Sequence, residues 1–126
     1  MISVPFRIIR NDITKVKADA IVNTANPAVE IGGGVDSAIY NAAGKELLLE
    51  ARGRIGHLNP GEVGITPAFH LEATYIIHVS GPWWLGGQQN EEQLLRQCYD
   101  RALALAVENG CQSIRLPELA TGTYAF

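Results

Sequence analysis

Short apolar segments with strand character alternate along this chain with amphipathic segments of helical character, and this alternation limits the possible folds more than any other feature. The clearest strand is Tyr75–Val79, which is β-branched and aromatic. The clearest helices are Val35–Ala43 and Glu91–Glu108, and a glycine that can end each helix follows it closely. Such alternation predicts a layered α/β domain. The other elements are expected at Ile2–Ile9, Ala20–Val22, Glu62–Thr66 and Ser113–Leu116 as strands and at Lys45–Ala51 as a helix.

The spacing of apolar residues predicts which helix faces are buried. In the first helix Val35, Ile39 and Ala42 are expected on the buried face. In the long helix the expected stripe is Leu94, Leu95, Cys98, Ala102, Leu105 and Ala106. A chain of 126 residues has the length of one domain, here expected to span residues 1–126, and it can bury a substantial core.

Charge and composition exclude several classes of function. The formal net charge of −3 provides no basic field that would hold nucleic acid or an anionic membrane. The longest apolar run, Ala102–Val107, is far shorter than the ~18 residues of a membrane span, and the first residues show no signal-peptide pattern. The two cysteines and three histidines lack the spacing of metal ligands, so no metal or other cofactor is expected. Reduced cysteines in a cytoplasmic protein are the expectation.

Three consecutive glycines, Gly32–Gly34, stand directly before the first helix. In open α/β sheets ligands bind beyond the carboxyl ends of the strands, and this loop follows the strand that ends at Val22. Free amides at a helix N-terminus bind anions, so the loop is a candidate phosphate site with Asp36 in the first helical turn. The alternative is a flexible turn followed by a first-turn acid. Ser37 stands where a dinucleotide-binding loop would have its last glycine, and no phosphate-loop lysine follows.

Polar residues after the other strands each have a functional and a structural interpretation. Asp12 is placed to accept the amine of an adenine ring, or it is a turn residue. Asn23 and Asn26 suit ribose hydroxyls, because an amide donates and accepts without charge, or they cap the loop. His78 lies within a strand and is expected to be a core histidine with its hydrogen bonds satisfied.

The last loop, Pro117–Phe126, is small, hydroxyl-rich and contains one glycine. Backbone amides around Gly122 would form a second phosphate nest. Tyr124 and Phe126 would flank a sugar or a base. A surface turn with two core aromatics explains the same residues.

Together these loops resemble the macrodomain family, and within it the MacroD-type class. The segments that carry the resemblance lie in order along the whole chain: Asn11–Thr14, Asp19–Asn26, Gly32–Ile39, Ala42–Gly44, Gly61–Glu62, Ile77–His78, Gly81–Pro82 and Thr121–Tyr124. The resemblance implies a three-layer α/β/α fold with a mixed central sheet. It also implies removal of ADP-ribose from protein carboxylates and deacetylation of O-acetyl-ADP-ribose.

The resemblance implies a role for each matching residue. Asp12 would bind the adenine amine with Ile13 beside it, and Asn26 would hold the distal ribose. Asp36 would lie near that ribose and position or activate a water, so Asn26 and Asp36 would be the catalytic residues. The remaining ligand-binding residues would be Gly33, Gly34 and Val35 at the pyrophosphate, Thr121, Gly122, Thr123 and Tyr124 in the second phosphate loop, and Phe126 against the distal ribose.

The chain departs from the family pattern at three places. Ile31 stands where the family has another glycine, and Tyr40 replaces a histidine that orients the acidic residue. The sequence also stops at Phe126, whereas family members continue through a last strand and C-terminal helices. The missing strand is expected to leave a gap between the first strand and the one at Ser113–Leu116. An unpaired strand edge invites pairing with another chain, so self-association or marginal stability is expected.

Three functions follow from the resemblance and its departures. The first is a metal-independent hydrolase that acts on ADP-ribose esters of proteins or on O-acetyl-ADP-ribose. The second is a module that binds ADP-ribose without turnover, favoured by Tyr40 and Ile31. The third is an inactive shortened remnant. None of them involves a membrane or general nucleic-acid binding.

Overall fold

The sheet and the helices that cover it are described by a computed structural model for residues 6–8, 13–15, 17–80 and 91–116. Several residues predicted to bind ligand lie outside the described residues, so their predicted roles stay predictions. They are Asp12, Thr121, Gly122, Thr123, Tyr124 and Phe126.

Strands and helices alternate as the sequence predicts. The strands are β1 (Phe6–Ile8), β2 (Ala18–Thr24), β3 (Val63–Pro67), β4 (Ala73–Val79) and β5 (Ile114–Leu116). The helices are α1 (Val35–Ala43), α2 (Lys45–Ile55) and α3 (Glu91–Glu108), with a short 3-10 turn at Ile13–Lys15. The bounds of α1 and α3 agree with the prediction, and α2 runs four residues further. Within the described part of the chain, no helix is long and apolar enough to cross a lipid bilayer.

The five strands form one mixed sheet in the order β1-β5-β2-β4-β3. Four of them are parallel, and β3 pairs antiparallel with β4 at one edge. The mixed sheet that the resemblance implies is therefore confirmed. Because β2 and β4 are parallel neighbours, their carboxyl ends lie side by side, and the amide of Ala25 donates to the carbonyl of Val79 over 2.8 Å.

Side chains that alternate along the central strands enter two separate cores. Ala20 and Val22 of β2 pack with Cys98, Ala102 and Ala106 of α3 on one face of the sheet. The other face carries a second core, whose members are Ile13, Ile21, Ile39, Tyr40, Ala43, Leu48, Ala68 and Ile76. The result is three layers, with α3 on one side and α1 and α2 on the other. Of the stripe predicted for α3, Cys98, Ala102 and Ala106 are buried and Leu105 packs partly buried against them, whereas Leu94 and Leu95 are half-buried outside this core.

The expected gap beside β5 is not present between the described strands. Residues Phe6–Ile8 of β1 pair directly with Ile114–Leu116 of β5 in parallel register. The backbone groups on that flank of β5 therefore find partners within the chain. The expectation of an unpaired flank was wrong, because β1 itself pairs with β5. The reason for expecting self-association at this flank of β5 is therefore removed.

The buried face of α1 also differs from the prediction. Val35 and Ala42 are exposed, whereas Asp36, Ile39, Tyr40 and Ala43 are buried. These four residues follow the helical repeat as regularly as the predicted set. Ile39 agrees with the prediction, but apolarity alone misplaced the rest of the stripe, because the buried face also carries the Tyr40 phenol and the Asp36 carboxyl, which finds polar partners there.

Candidate functional site

Three neighbouring strands place polar side chains on the sheet face that α1 and α2 cover. Asn23 of β2 follows Ile21 by two residues and therefore shares its face, which is packed against the helices. His78 pairs with Asn23 across the parallel ladder, and Thr66 of β3 lies diagonally beyond it. All three residues are buried, Asn23 and His78 completely. Strand register thus brings together residues that are far apart in the sequence.

These side chains form one hydrogen-bonded row that ends at the first turn of α1. The Thr66 hydroxyl lies 3.0 Å from Nε2 of His78, and Nδ1 of His78 lies 3.3 Å from Nδ2 of Asn23. Nδ2 of Asn23 donates to Oδ1 of Asp36 over 2.6 Å. His78 thus has a partner at each ring nitrogen, which confirms its prediction as a satisfied core histidine.

Asp36 joins this row to the glycine loop. Its second carboxylate oxygen, Oδ2, accepts from the amide of Gly32 over 2.7 Å. A Cβ at Gly32 would lie 3.3 Å from that oxygen, so the close approach favours glycine there. The Asp36 side chain therefore fixes the loop that precedes α1, and the loop in turn fixes the carboxylate.

Burial dominates the electrostatics of this carboxylate. Desolvation raises the pKa of Asp36 above its ordinary value, although the hydrogen bonds from Asn23 and Gly32 and the charge of Arg52 oppose it. Tyr40, one turn further along α1, is almost fully buried. Its burial, together with the negative charge of Asp36, raises the pKa of Tyr40 to about 12, so the phenol stays protonated at neutral pH.

The three residues before Asp36 are exposed to solvent. Gly33, Gly34 and Val35 are exposed, and Gly34 has a φ of 60°, a conformation that a side chain would strain. The N-terminus of α1 follows directly, and its free amides carry a partial positive charge. A glycine loop at a helix N-terminus beside a buried acid is an arrangement that can bind an anionic group.

A buried arginine supports the loop from behind. Arg52 of α2 is only 1% exposed. Its Nη2 donates to the carbonyls of Asn26 and Pro27 over 3.0 and 3.3 Å, and its Nη1 donates to the carbonyl of Gly56. The guanidinium thus connects the segment after β2 with the end of α2. Burial lowers the pKa of Arg52, while nearby Tyr40 and Asp36 oppose that shift.

The structure brings together the described part of the predicted site. Asp36 and Gly33, Gly34 and Val35 form one continuous segment, and Asn26 is half-buried beside Gly32. Ile13 is buried in the core with α1. Asn23 differs from both of its interpretations, because it lies inside β2 and bonds Asp36 instead of capping a loop. The ligand contacts predicted for these residues remain predictions.

Sequence reasoning did not single out Arg52 or Thr66. The available signal for Arg52 was its position four residues after Leu48, which puts a cation on the buried stripe of α2. Thr66 gave no signal, because its importance depends on the pairing of β3 with β4. Among the side chains that the structure describes, no group of three His, Cys, Asp or Glu residues could hold a metal ion.

Stability is expected to fall in mild acid because of His78. Burial lowers the pKa of His78 from 6.5 to about 3, so between these values the folded protein binds fewer protons than the unfolded chain. The stability that comes from burying the neutral ring is complete above the pKa of histidine in the unfolded chain, and it is lost as the pH falls below that value. Between pH 7 and pH 5 it amounts to about 2 kcal/mol of unfolding free energy. Denaturant unfolding should show this loss in the wild type but not in His78→Gln.

The matched control is His57→Gln, because His57 is exposed. Its unfolding free energy should depend on pH as the wild type's does. Equal slopes for the wild type and His78→Gln would contradict the assignment of a neutral buried ring.

Comparison with known proteins places this geometry in context. A family model described as Macro domain matches residues 22–126. A macro domain-containing protein of Lactiplantibacillus plantarum is 50% identical over 123 residues, which cover 98% of this chain and 71% of that protein. A Citrobacter rodentium protein named O-acetyl-ADP-ribose deacetylase is 49% identical over 122 residues, covering 94% of this chain and 69% of that protein.

A solved structure has the same architecture. The Oceanobacillus iheyensis macrodomain with ADP superimposes with a TM-score of 0.87 at 41% identity, covering 96% of this chain and 67% of that one. In a second structure of that macrodomain, with MES bound, this chain spans 65% of the length. The chain thus spans about two thirds of the proteins that it matches.

Proposed function

This chain belongs to the macro domain family, and from that premise we propose that it binds ADP-ribose and hydrolyses the acetyl ester of O-acetyl-ADP-ribose. Two observations about other proteins support the proposal. A relative of similar sequence is named O-acetyl-ADP-ribose deacetylase, and a structural neighbour holds ADP. By extension the substrates would include proteins that carry ADP-ribose on an acidic side chain.

The observation that carries the proposal is the position of the Asp36 carboxylate. It is buried at the N-terminus of α1, directly after the exposed residues Gly33, Gly34 and Val35, whose amides would receive an anion. Phosphates bound at Gly33, Gly34 and Val35 would leave the distal ribose within reach of Asp36 and Asn26. A carboxylate whose pKa is raised by burial is better matched to proton transfer near neutral pH than an exposed one.

Hydrolysis of the acetyl ester requires that the protein position the substrate and a water molecule and that one base accept a proton. A water oxygen adds to the ester carbonyl carbon while Asp36, or a substrate phosphate, accepts the proton. The tetrahedral intermediate then collapses, the bond to the ribose oxygen breaks, and that oxygen regains a proton. The products are acetate and ADP-ribose. Holding the ester and the water together removes much of the entropic barrier.

A second function, binding without turnover, is favoured by the hydrogen bonds that Asp36 already makes within the protein. Both carboxylate oxygens already accept hydrogen bonds from the protein, one from Asn23 and one from Gly32. A carboxylate used in this way holds the loop in shape and needs no catalytic role. In this alternative the chain is a reader of ADP-ribose.

Two measurements on this exact chain separate these functions. Calorimetric titration with ADP-ribose tests binding, and chromatographic detection of ADP-ribose released from O-acetyl-ADP-ribose tests turnover. Binding with release supports the hydrolase, and binding without release selects the reader. Absence of both contradicts the proposal and supports an inactive remnant. The same assay with a glutamate-ADP-ribosylated protein tests the extension to protein substrates.

We also propose a cytoplasmic location. Cys98 and Cys111 are both free and buried, which suits a reducing compartment. Burial raises the pKa of both thiols, so they are poor thiolates at neutral pH.

A further inference from the structure

The amide of Asn23 can lie in only one orientation. Its Nδ2 faces two acceptors, Oδ1 of Asp36 and Nδ1 of His78, and an amide nitrogen has one hydrogen for each. The reverse orientation would place the amide oxygen against a carboxylate oxygen, where neither atom can donate. The neighbours of Asn23 therefore determine its orientation.

His78 fixes that orientation from the side of the sheet. Because Nδ1 accepts from Asn23, the ring proton lies on Nε2, and Nε2 donates to the hydroxyl of Thr66. A ring protonated on Nδ1 would oppose the amide with a second donor. The hydroxyl of Thr66 gives the Nε2 proton an acceptor and so supports the tautomer of His78 that leaves Nδ1 free to accept.

This arrangement leaves one atom of Asn23 without a partner. Its Oδ1 is buried and has no donor among the described residues. Native proteins rarely leave a buried acceptor unpaired, and such atoms mark places where another requirement dominates. Here the competing requirement is the short bond from Nδ2 to the carboxylate of Asp36.

We propose that Asn23 is the positioning residue of the site, which holds the carboxylate of Asp36 in its ionised form and in the orientation that also binds Gly32. His78 and Thr66 act through Asn23 by fixing its amide. This inference rests on the proposed function, because it assigns the group that keeps Asp36 ready to accept a proton.

Other ionisable groups also lie near Asp36. Arg52 approaches from α2, Tyr40 from the next turn of α1, and His78 from β4. Tyr40 and His78 stay neutral near pH 7 because burial shifts the pKa of each away from that pH. Asn23 donates directly, so its loss should raise the pKa of Asp36.

The test compares pH–rate profiles of O-acetyl-ADP-ribose hydrolysis in the wild type, Asn23→Leu and Thr66→Val. Leucine has the same number and branching of side-chain heavy atoms as Asn23 but lacks the donor. The apparent pKa on the acid side of kcat/KM should rise by about one unit. The value of kcat should fall about 10- to 100-fold, while the Kd for ADP-ribose changes less than about threefold. Thr66→Val should shift the profile in the same direction by a smaller amount.

The control is Asn41→Leu, an exposed asparagine on the same helix as Asp36, whose profile should match the wild type. A folded Asn23→Leu variant with an unshifted profile would overturn the proposal. So would parallel losses of kcat and affinity, because they would show a merely structural role.

NMR keeps the inference testable if the wild type lacks turnover or the leucine variant does not fold. In the wild type the ¹⁵N shifts of His78 should report a proton on Nε2, and a proton on Nδ1 would overturn the proposal. The ¹³Cγ titration of Asp36 should move to higher pH in Asn23→Leu, or in Thr66→Val if only that variant folds. A wild type with the Nε2 tautomer but no hydrolysis would disprove the proposed function alone.

Discussion

Replacing Asp36 with alanine is expected to lower the rate of O-acetyl-ADP-ribose hydrolysis by about 10²- to 10⁴-fold, the usual contribution of a positioned base. The variant also loses the acceptor for the amide of Gly32, so the glycine loop should loosen and ADP-ribose should bind more weakly. Asp36→Asn separates these effects only in part. Its one amide oxygen can serve Asn23 or Gly32 but not both. Single-turnover kinetics and calorimetry on the two variants measure both losses.

Glu46→Gln is the matched control for this prediction. Glu46 is an exposed acid in the first turn of α2, so its removal tests the general effect of a charge near a helix N-terminus. Its rate should equal that of the wild type. Unchanged product release in Asp36→Ala would remove Asp36 from the mechanism and leave the substrate phosphate as the base.

The second large effect is expected from Arg52→Ala. The change leaves the carbonyls of Asn26 and Gly56 without their donor and leaves a void where the side chain was, whereas the carbonyl of Pro27 keeps the amide of Leu58. Each buried acceptor left unsatisfied costs about 1–3 kcal/mol, so the unfolding free energy should fall by at least about 3 kcal/mol. Thermal melts should show a Tm lower by roughly 10 °C or more. Arg52→Lys should recover only part of this, because an ammonium cannot span three acceptors.

Arg54 provides the control on the same helix. Its side chain is 77% exposed and pairs with Glu50 across one helical turn. Because exposed pairs contribute little, Arg54→Ala should change the unfolding free energy by less than about 0.5 kcal/mol. If Arg52→Ala melted as Arg54→Ala does, Arg52 would not support the loop.

The elements of this fold were largely predictable because they depend on local pattern. The β-branched run Tyr75–Val79 and the glycines that end α1 and α3 act within a few residues of their positions. The glycine loop and Asp36 were found for the same reason, since a loop before a helix is a local signal. The layered α/β class then followed from the alternation alone.

The interior of the site was less predictable because it depends on contacts between distant residues. Asn23 belongs with Asp36 and His78 only after β2 and β4 have paired. Asp36 can be buried on α1 only because those partners exist, and apolarity counts therefore favoured Val35 and Ala42 beside Ile39 instead. Arg52 is comparable, because three carbonyls from two loops must meet before a cation can be buried there.

The place of β5 in the sheet has a consequence for the order in which the chain can fold during synthesis. β5 lies between β1 and β2 and pairs with both, and its residues follow those of β1 by more than a hundred positions. Until Ile114–Leu116 have left the ribosome, β1 lacks its partner and one flank of β2 is open. Helices α1 and α2 and the β2–β4 pair can form earlier from nearer contacts. The nascent chain should therefore expose a strand edge until β5 has been synthesised, and this is the interval when chaperones would protect it most.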